Sequence, residues 1–180
     1  RLLYRDSNGK TFRTISRSSG RNNSLSNVPA LFLADPGKAV VFSDSDGFDA
    51  LYEYDLATQT VGKRIYGMPG YDVGQIVSDA TGANMIGARY VDTRERTHWL
   101  DPKMAEIQEA LDKAVGDSNA QVVSWSRDFG TLIVRVDSGS RIGSYYIFRP
   151  SEGRMRLFAK VSDTLGTKAY APVSTIKYKA

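Results

Sequence analysis

Residues 28–67 read VPALFLADPGKAVVFSDSDGFDALYEYDLATQTVGKRIYG, and this stretch decides the fold. Leu31-Phe32-Leu33, Ala39-Val40-Val41-Phe42 and Leu51-Tyr52-Glu53-Tyr54 are short runs rich in β-branched and aromatic residues. Their length and period-2 character fit strands better than helices. Asp35-Pro36-Gly37 and Ser45-Asp46-Gly47 stand between them, and Asp with Gly supplies the tight reversals that hairpins need. The stretch predicts four strands, near 29–34, 39–44, 50–55 and 60–66.

The same pattern recurs along the chain. Asp35-Pro36-Gly37, Asp79-Ala80-Thr81-Gly82 and Asp128-Phe129-Gly130 form one series of turns, their Gly residues 45 and 48 positions apart. In each, Gly is expected to take the positive φ. Aromatic strand ends form a second series: Leu3-Tyr4-Arg5-Asp6, Tyr52-Glu53-Tyr54-Asp55, His98-Trp99-Leu100-Asp101 and Tyr146-Ile147-Phe148-Arg149. Their last members are 49, 46 and 48 residues apart. Two landmarks with one period suit a repeated four-stranded sheet, and WD-type propeller blades run only slightly shorter.

The fold class expected is therefore all-β: a partial β-propeller of about three and a half four-stranded antiparallel blades with one inserted helix, about 102–115. Residues 28–67 form one blade. Residues 72–116 form the next, with strands near 74–79, 84–91 and 96–100 and a helix replacing the fourth. Asp101 is a good N-cap, Pro102 a good first residue and Gly116 a good stop. Met104, Ile107, Leu111, Ala114 and Val115 fall on one face of that helix. Residues 121–161 return to four strands, near 121–126, 131–137, 144–149 and 154–160. Residues 1–17 read as the outer half of a preceding blade, with a turn at Asp6-Ser7-Asn8-Gly9. The alternation from Val173 to Lys179 reads as a strand without a partner in the chain.

Bulk composition excludes several classes. The chain has 180 residues, 41% hydrophobic and 24% charged, with no Cys and one His. It is neither a disordered chain nor a disulfide scaffold, and no site can rest on a thiol. No apolar run approaches the roughly 20 residues of a spanning helix, so no membrane partner is expected. The net charge of +4 is concentrated at one end: residues 1–21 hold Arg1, Arg5, Lys10, Arg13, Arg17 and Arg21 against Asp6 alone. Without a recognition helix or a stacking motif this basic segment reads as a solvated edge, not a nucleic-acid site. The chain starts with Arg1 and no leader pattern follows, which reads as a processed or trimmed end. The absence of Cys fits cytoplasm and periplasm equally, so the compartment stays open.

Arg89-Tyr90, His98-Trp99-Leu100-Asp101-Pro102, the helix 105–115 and Val123-Ser124-Trp125-Ser126-Arg127-Asp128 together resemble the last propeller blades of the prolyl oligopeptidase family of serine peptidases. The resemblance is to its dipeptidyl or acylaminoacyl-peptidase branch. Tyr145-Tyr146-Ile147-Phe148, Gly153 and Leu157 are similar to the final blade. Pro172-Val173 and Ile176-Lys177-Tyr178-Lys179-Ala180 look like the entry to an α/β-hydrolase domain, with 162–180 as the linker. The resemblance covers about 28–180. It implies a propeller that caps a hydrolase and filters peptides by size, with the Ser-Asp-His triad beyond residue 180. The chain has no G-x-S-x-G elbow. It is expected to be the non-catalytic part, partnered by the hydrolase domain of its own parent chain and by that parent's peptide substrates. Open blade edges are expected to favour self-association.

Each candidate for chemistry has a plainer reading. His98 sits beside Trp99 and reads as a packing or hydrogen-bonding residue, because a catalytic role needs a nucleophile and an orienting carboxylate. Asp44, Asp46 and Asp49 with Gly47 fail the calcium-loop template and read as a hairpin turn. Glu106, Glu109 and Asp112 share a helix with Lys103 and Lys113 and read as a solvated face. The Gly residues form no phosphate loop. Asn22-Asn23-Ser24 is a glycosylation sequon. Arg89, Arg94 and Arg96 are the residues to watch, since Arg pairs bidentately with a peptide carboxylate. No catalytic, cofactor-binding or metal-binding residue is assigned, and no cofactor is expected. A stand-alone scaffold of the TolB or WD-repeat kind is the alternative.

Overall fold

The computed structural model describes residues 1–6, 8–16, 28–168, 170, 171 and 173–176. Among these the chain is mostly β, with thirteen strands in four antiparallel sheets and one α-helix. It divides into two compact units, Arg1–Asp92 and Thr93–Ala180. The division falls inside the stretch 72–116 that the sequence reading treats as one repeat.

In the first unit, β1 (Leu2–Tyr4) pairs with β2 (Arg13–Ser16). β3 (Pro29–Phe32), β4 (Lys38–Ser43), β5 (Ala50–Asp55) and β6 (Thr60–Tyr66) follow as an up-and-down sheet in chain order. β7 (Val73–Ser78) and β8 (Met85–Val91) make the next hairpin.

The β4–β5 register explains the core. Ala39 opposes Tyr54, Val41 opposes Tyr52 and Ser43 opposes Ala50. Side chains alternate across a strand, so these share one face. That face packs with Leu56 against Ile15, Leu2 and Tyr4. Val40 and Leu51 lie on the other face and pack against Val73 and Ala88, with Phe42, Ile76 and Met85 alongside. Ala39, Val40, Val41, Ala50 and Leu51 are 0% exposed. Burial of a full Val or Leu side chain contributes roughly 1.5–3 kcal/mol. The middle sheet is thus held from both sides, which explains its near-continuous apolar strands.

Polar contacts fix how these sheets meet. Arg13 lies over the Tyr4 ring, 5.3 Å from its centroid, and donates to the carbonyls of Leu56 (2.7 Å) and Ala57 (3.0 Å). Val73 N–H donates to Asp49 O at 2.8 Å, and Ala34 N–H to Ala83 O at 2.9 Å.

The second unit holds β9 (Glu95–Trp99), α1 (Pro102–Val115), β10 (Asn119–Trp125), β11 (Leu132–Ser138), β12 (Arg141–Arg149) and β13 (Arg154–Lys160). β10 to β13 form a second four-stranded meander in chain order. The caps of α1 follow the expectation: the Asp101 carboxylate accepts Met104 N–H at 3.0 Å, Pro102 opens the first turn, and Gly116 ends the helix at φ 59°. Met104, Ile107 and Leu111 are buried. Trp99 stands edge-on to Trp125, with centroids 5.7 Å apart, and donates through Nε1 to Gln108 Oε1 at 3.2 Å. Gln108 in turn donates to Ala120 O at 2.8 Å. One side chain therefore ties the helix to both β9 and β10.

Several expectations need correction. Ala114 is exposed and Val115 half-buried. The buried stripe stops at Leu111, one turn before the cap, and a single methyl adds little apolar area there. Strand bounds shift by up to three residues; β12 starts at Arg141, β10 at Asn119, and β2 at Arg13, which leaves Phe12 62% exposed. Val173–Ile176 is not a strand. Val173 N–H instead donates to Gly139 O at 3.1 Å, and Val173 and Ile176 are each 80% exposed. Arg17, Arg21, the Asn22-Asn23-Ser24 sequon, Ser7, Pro172 and residues 177–180 lie outside the described residues.

The third turn also departs from its series. Gly37 and Gly82 have φ of 84° and 69°, but in the 126–131 turn Phe129 takes the positive φ, 57°. An aromatic residue there is strained. Lys103 covers the ring at 5.7 Å and donates to Asp128 O at 2.7 Å. Gly130 is needed for space instead: a Cβ on it would lie 2.9 Å from the Asp128 carboxylate, which accepts from Ser126 Oγ (2.6 Å) and Gly130 N–H (3.0 Å).

Asp79 organises the β7–β8 turn in a similar way. It accepts from Thr81 Oγ1 at 2.7 Å and from Asn84 Nδ2 at 2.8 Å. These hydrogen bonds hold its carboxyl well below the ordinary 3.8. A group with a depressed folded pKa stabilises fully above its unfolded value and loses that contribution as pH falls through and below it. Two outcomes follow for urea unfolding read by circular dichroism. Leu51→Ala is expected to cost about 2–5 kcal/mol, as for a fully buried large-to-small change. Asp79→Asn is expected to be less stable than the native chain at pH 7 and to lose less stability between about pH 4 and pH 2; parallel pH profiles would contradict this.

Candidate functional site

The β11–β12 hairpin end is where clefts gather in the second unit. Asn119 opposes Asp137, Val136 opposes Ser144, and Ser144 opposes Lys160, so these residues end the four strands along one rim. The turn itself is Gly139-Ser140, closed by Ser138 opposite Arg141. A cleft of about 640 Å³ opens between this rim and the segment after β13, with Val136, Arg141, Tyr146, Lys160, Leu165 and Lys168 among its walls. A second cleft of about 520 Å³ is lined by Arg94, Asp117, Asn119, Arg135 and Thr175. Arg141, Ile142 and Asp137 line both.

The charges here are unevenly matched. Five cations line the two clefts, Arg94, Arg135, Arg141, Lys160 and Lys168, against the carboxylates of Asp117 and Asp137. Arg135 pairs with Asp137 at 3.1 Å; two residues apart on a strand, they share a face. Lys160 pairs with Asp163 at 3.4 Å. Arg94 donates to Ser118 O at 3.2 Å. The arrangement suits the binding of an anion.

Two glycines allow close packing of the backbone at this hairpin. Gly143 has φ +92°, and a Cβ there would meet Val136 O at 2.7 Å and the Asp137 Cβ at 2.8 Å. A Cβ on Gly139 would lie 2.8 Å from Val173 O. Beyond β13, Tyr170 donates its hydroxyl to Leu165 O at 3.3 Å and Leu165 N–H bonds Ser162 Oγ at 3.1 Å, which shapes the opposite lip.

Of the arginines singled out from sequence, Arg94 alone lines these clefts. Arg89 lies on β8 in the first unit and donates to Gln75 Oε1 at 3.2 Å, and Arg96 is half-buried on β9. His98 is exposed in area, yet the surrounding protein desolvates its ring enough to hold its pKa below the ordinary 6.5. Glu106, Glu109 and Asp112 are all exposed; Glu109 pairs with Lys113 at 2.7 Å, and Asp112 accepts from Gln108 at 2.9 Å. The aspartates of the β4–β5 turn serve the fold. Asp46 accepts the Tyr52 hydroxyl at 2.8 Å and approaches Arg64 at 3.5 Å. Asp72 accepts Asp49 N–H at 2.8 Å. Burial first, and then the charges of Asp72 and Asp44, push the Asp49 carboxyl up. Among the described residues no group of three or more His, Cys, Asp or Glu is placed to hold a metal ion.

Sequence reasoning missed Arg141, Lys160 and Lys168. Each reads alone as a solvated cation at a turn or strand end. The signal present was Gly139-Ser140-Arg141-Ile142-Gly143, where two glycines bracket a cation in one turn.

No family model matches the chain, no curated protein matches it, and no solved structure matches it.

The need for Gly143 has a direct measure. Gly143→Ala is expected to destabilise by about 2–3 kcal/mol, because the left-handed backbone and the clash with Val136 O act together. Gly74→Ala, where nothing lies within 4 Å of the added methyl, is expected to be neutral or to stabilise by up to about 1 kcal/mol. Equal unfolding midpoints for the two variants in urea would contradict this account.

Proposed function

We propose that the chain is part of a β-propeller, the non-catalytic portion of a serine peptidase resembling the prolyl oligopeptidase family. Its task is to shield the active site of an α/β-hydrolase domain and to admit short peptides while excluding folded proteins. The selection is steric. An extended peptide passes through the opening of a rigid ring, and a folded domain does not.

One observation carries the reading: β4 and β5 are buried on both faces, between the β1–β2 hairpin on one side and β7–β8 on the other. A sheet flanked face-on by its chain neighbours is the building principle of a propeller. The second meander, β10 to β13, repeats the same strand order. The strand end at Trp99, the capped helix Pro102–Val115 and the following strand to Trp125 are the elements that carry the family resemblance.

A stand-alone scaffold for protein binding, of the TolB or WD-repeat kind, draws its support from β13. Leu157 and Phe158 on that edge strand are 55% and 59% exposed, as an interaction surface would be.

Two measurements test the gating reading. The purified chain is expected to release no chromophore from dipeptidyl or acylaminoacyl nitroanilides; hydrolysis that survives repeated purification would overturn the non-catalytic assignment. The gene beyond the Ala180 codon is expected to continue into a hydrolase domain with G-x-S-x-G. A stop codon there would favour the scaffold.

A further inference from the structure

We infer that the larger cleft beside the β11–β12 hairpin binds the terminal carboxylate of a short peptide, through Arg141 and Lys168. The choice of a peptide rests on the peptide-handling function proposed above. The choice of an anion rests on charge and geometry.

The cleft contains three cations, Arg141, Lys160 and Lys168, and one carboxylate, Asp137. Asp137 is already neutralised by Arg135 at 3.1 Å, and Lys160 by Asp163 at 3.4 Å. Arg141 and Lys168 have no ion pair among the described residues. Two uncompensated cations in one concavity attract an anion from solution and raise its local concentration. Arg141 supplies a planar fork that matches a carboxylate with two parallel hydrogen bonds, and Lys168 supplies a point charge.

The rest of the wall suits the end of a peptide better than a bare ion. Hydroxyls of Ser140, Ser144 and Tyr146 offer donors and acceptors to an amide, while Val136, Ile142 and Leu165 offer apolar surface to a side chain. The volume of about 640 Å³ falls in the range of sites that enclose small ligands, roughly 300–1,000 Å³. Gly143 also lines this cleft, where its missing Cβ lets the strand pack closely against Val136 O and Asp137.

The test is calorimetric titration of the folded chain with three probes: the tripeptide Ala-Leu-Phe as free acid, its C-terminal amide, and inorganic phosphate. The acid is expected to bind at least about tenfold more tightly than the amide, and more weakly as salt rises. Arg141→Met and Lys168→Met are each expected to weaken the acid about tenfold, with unchanged circular dichroism. Both residues sit at the surface, so loss of binding without loss of fold is the readout. Equal affinity for acid and amide, no binding by either, or phosphate binding as tightly as the acid and displacing it, would each overturn the inference. The last would make this a free-phosphate site. Failure here and failure of the gating reading are separable. Preference for the acid with no hydrolase encoded downstream leaves the cleft and removes the gate; a hydrolase downstream with no such preference does the reverse.

Discussion

The arrangement of the first unit depends on one constraint: β4 and β5 must bury both faces at once. Val41 and Tyr52 point to one neighbouring hairpin, Val40 and Leu51 to the other. A strand with two apolar faces cannot stand at the surface of a two-layer protein. It requires a sheet on each side, and the chain supplies them from the segments before and after. Polar ties, Arg13 to the carbonyls of Leu56 and Ala57 and Val73 to Asp49, join those sheets as well. Hydrophobic burial drives the stacking, and hydrogen bonds set its register.

The second unit solves the same problem with a helix. Between β9 and β10 the chain places α1, whose Met104, Ile107 and Leu111 supply buried apolar surface. Gln108 bonds Trp99 on one side and Ala120 on the other, so one amide satisfies a donor and an acceptor at a join between unlike elements. Such a residue has little freedom to change, since loss of either partner leaves a part-buried polar group unmet.

Strands and turns were legible in the sequence because their causes are local. Period-2 runs and Asp-Gly turns depend on residues that are neighbours in the chain. The helix was legible for the same reason, through Asp101, Pro102 and Gly116. What failed was non-local. Val173–Ile176 alternates like a strand, but alternation does not supply a pairing partner, and Val173 bonds a turn carbonyl instead. Phe129 takes the positive φ, and the side chain that lies over its ring is Lys103, 26 positions earlier. The anion-suited cleft was hidden as well. Whether a surface cation is compensated depends on which carboxylate folding brings near it, and Asp137 goes to Arg135. That neither Arg89 nor Arg96 lines the cleft follows from the same logic, since residue type names the chemistry and topology chooses the place.

The two tryptophans of the chain, Trp99 and Trp125, both lie in the second unit and stack edge to face. The molecule therefore carries a built-in, spatially restricted optical reporter. Indole emission follows the loosening of the helix-bearing half and is silent on the other, which contains Tyr but no Trp. Indole emission set beside far-ultraviolet circular dichroism along one melt resolves whether the two halves unfold together or in sequence.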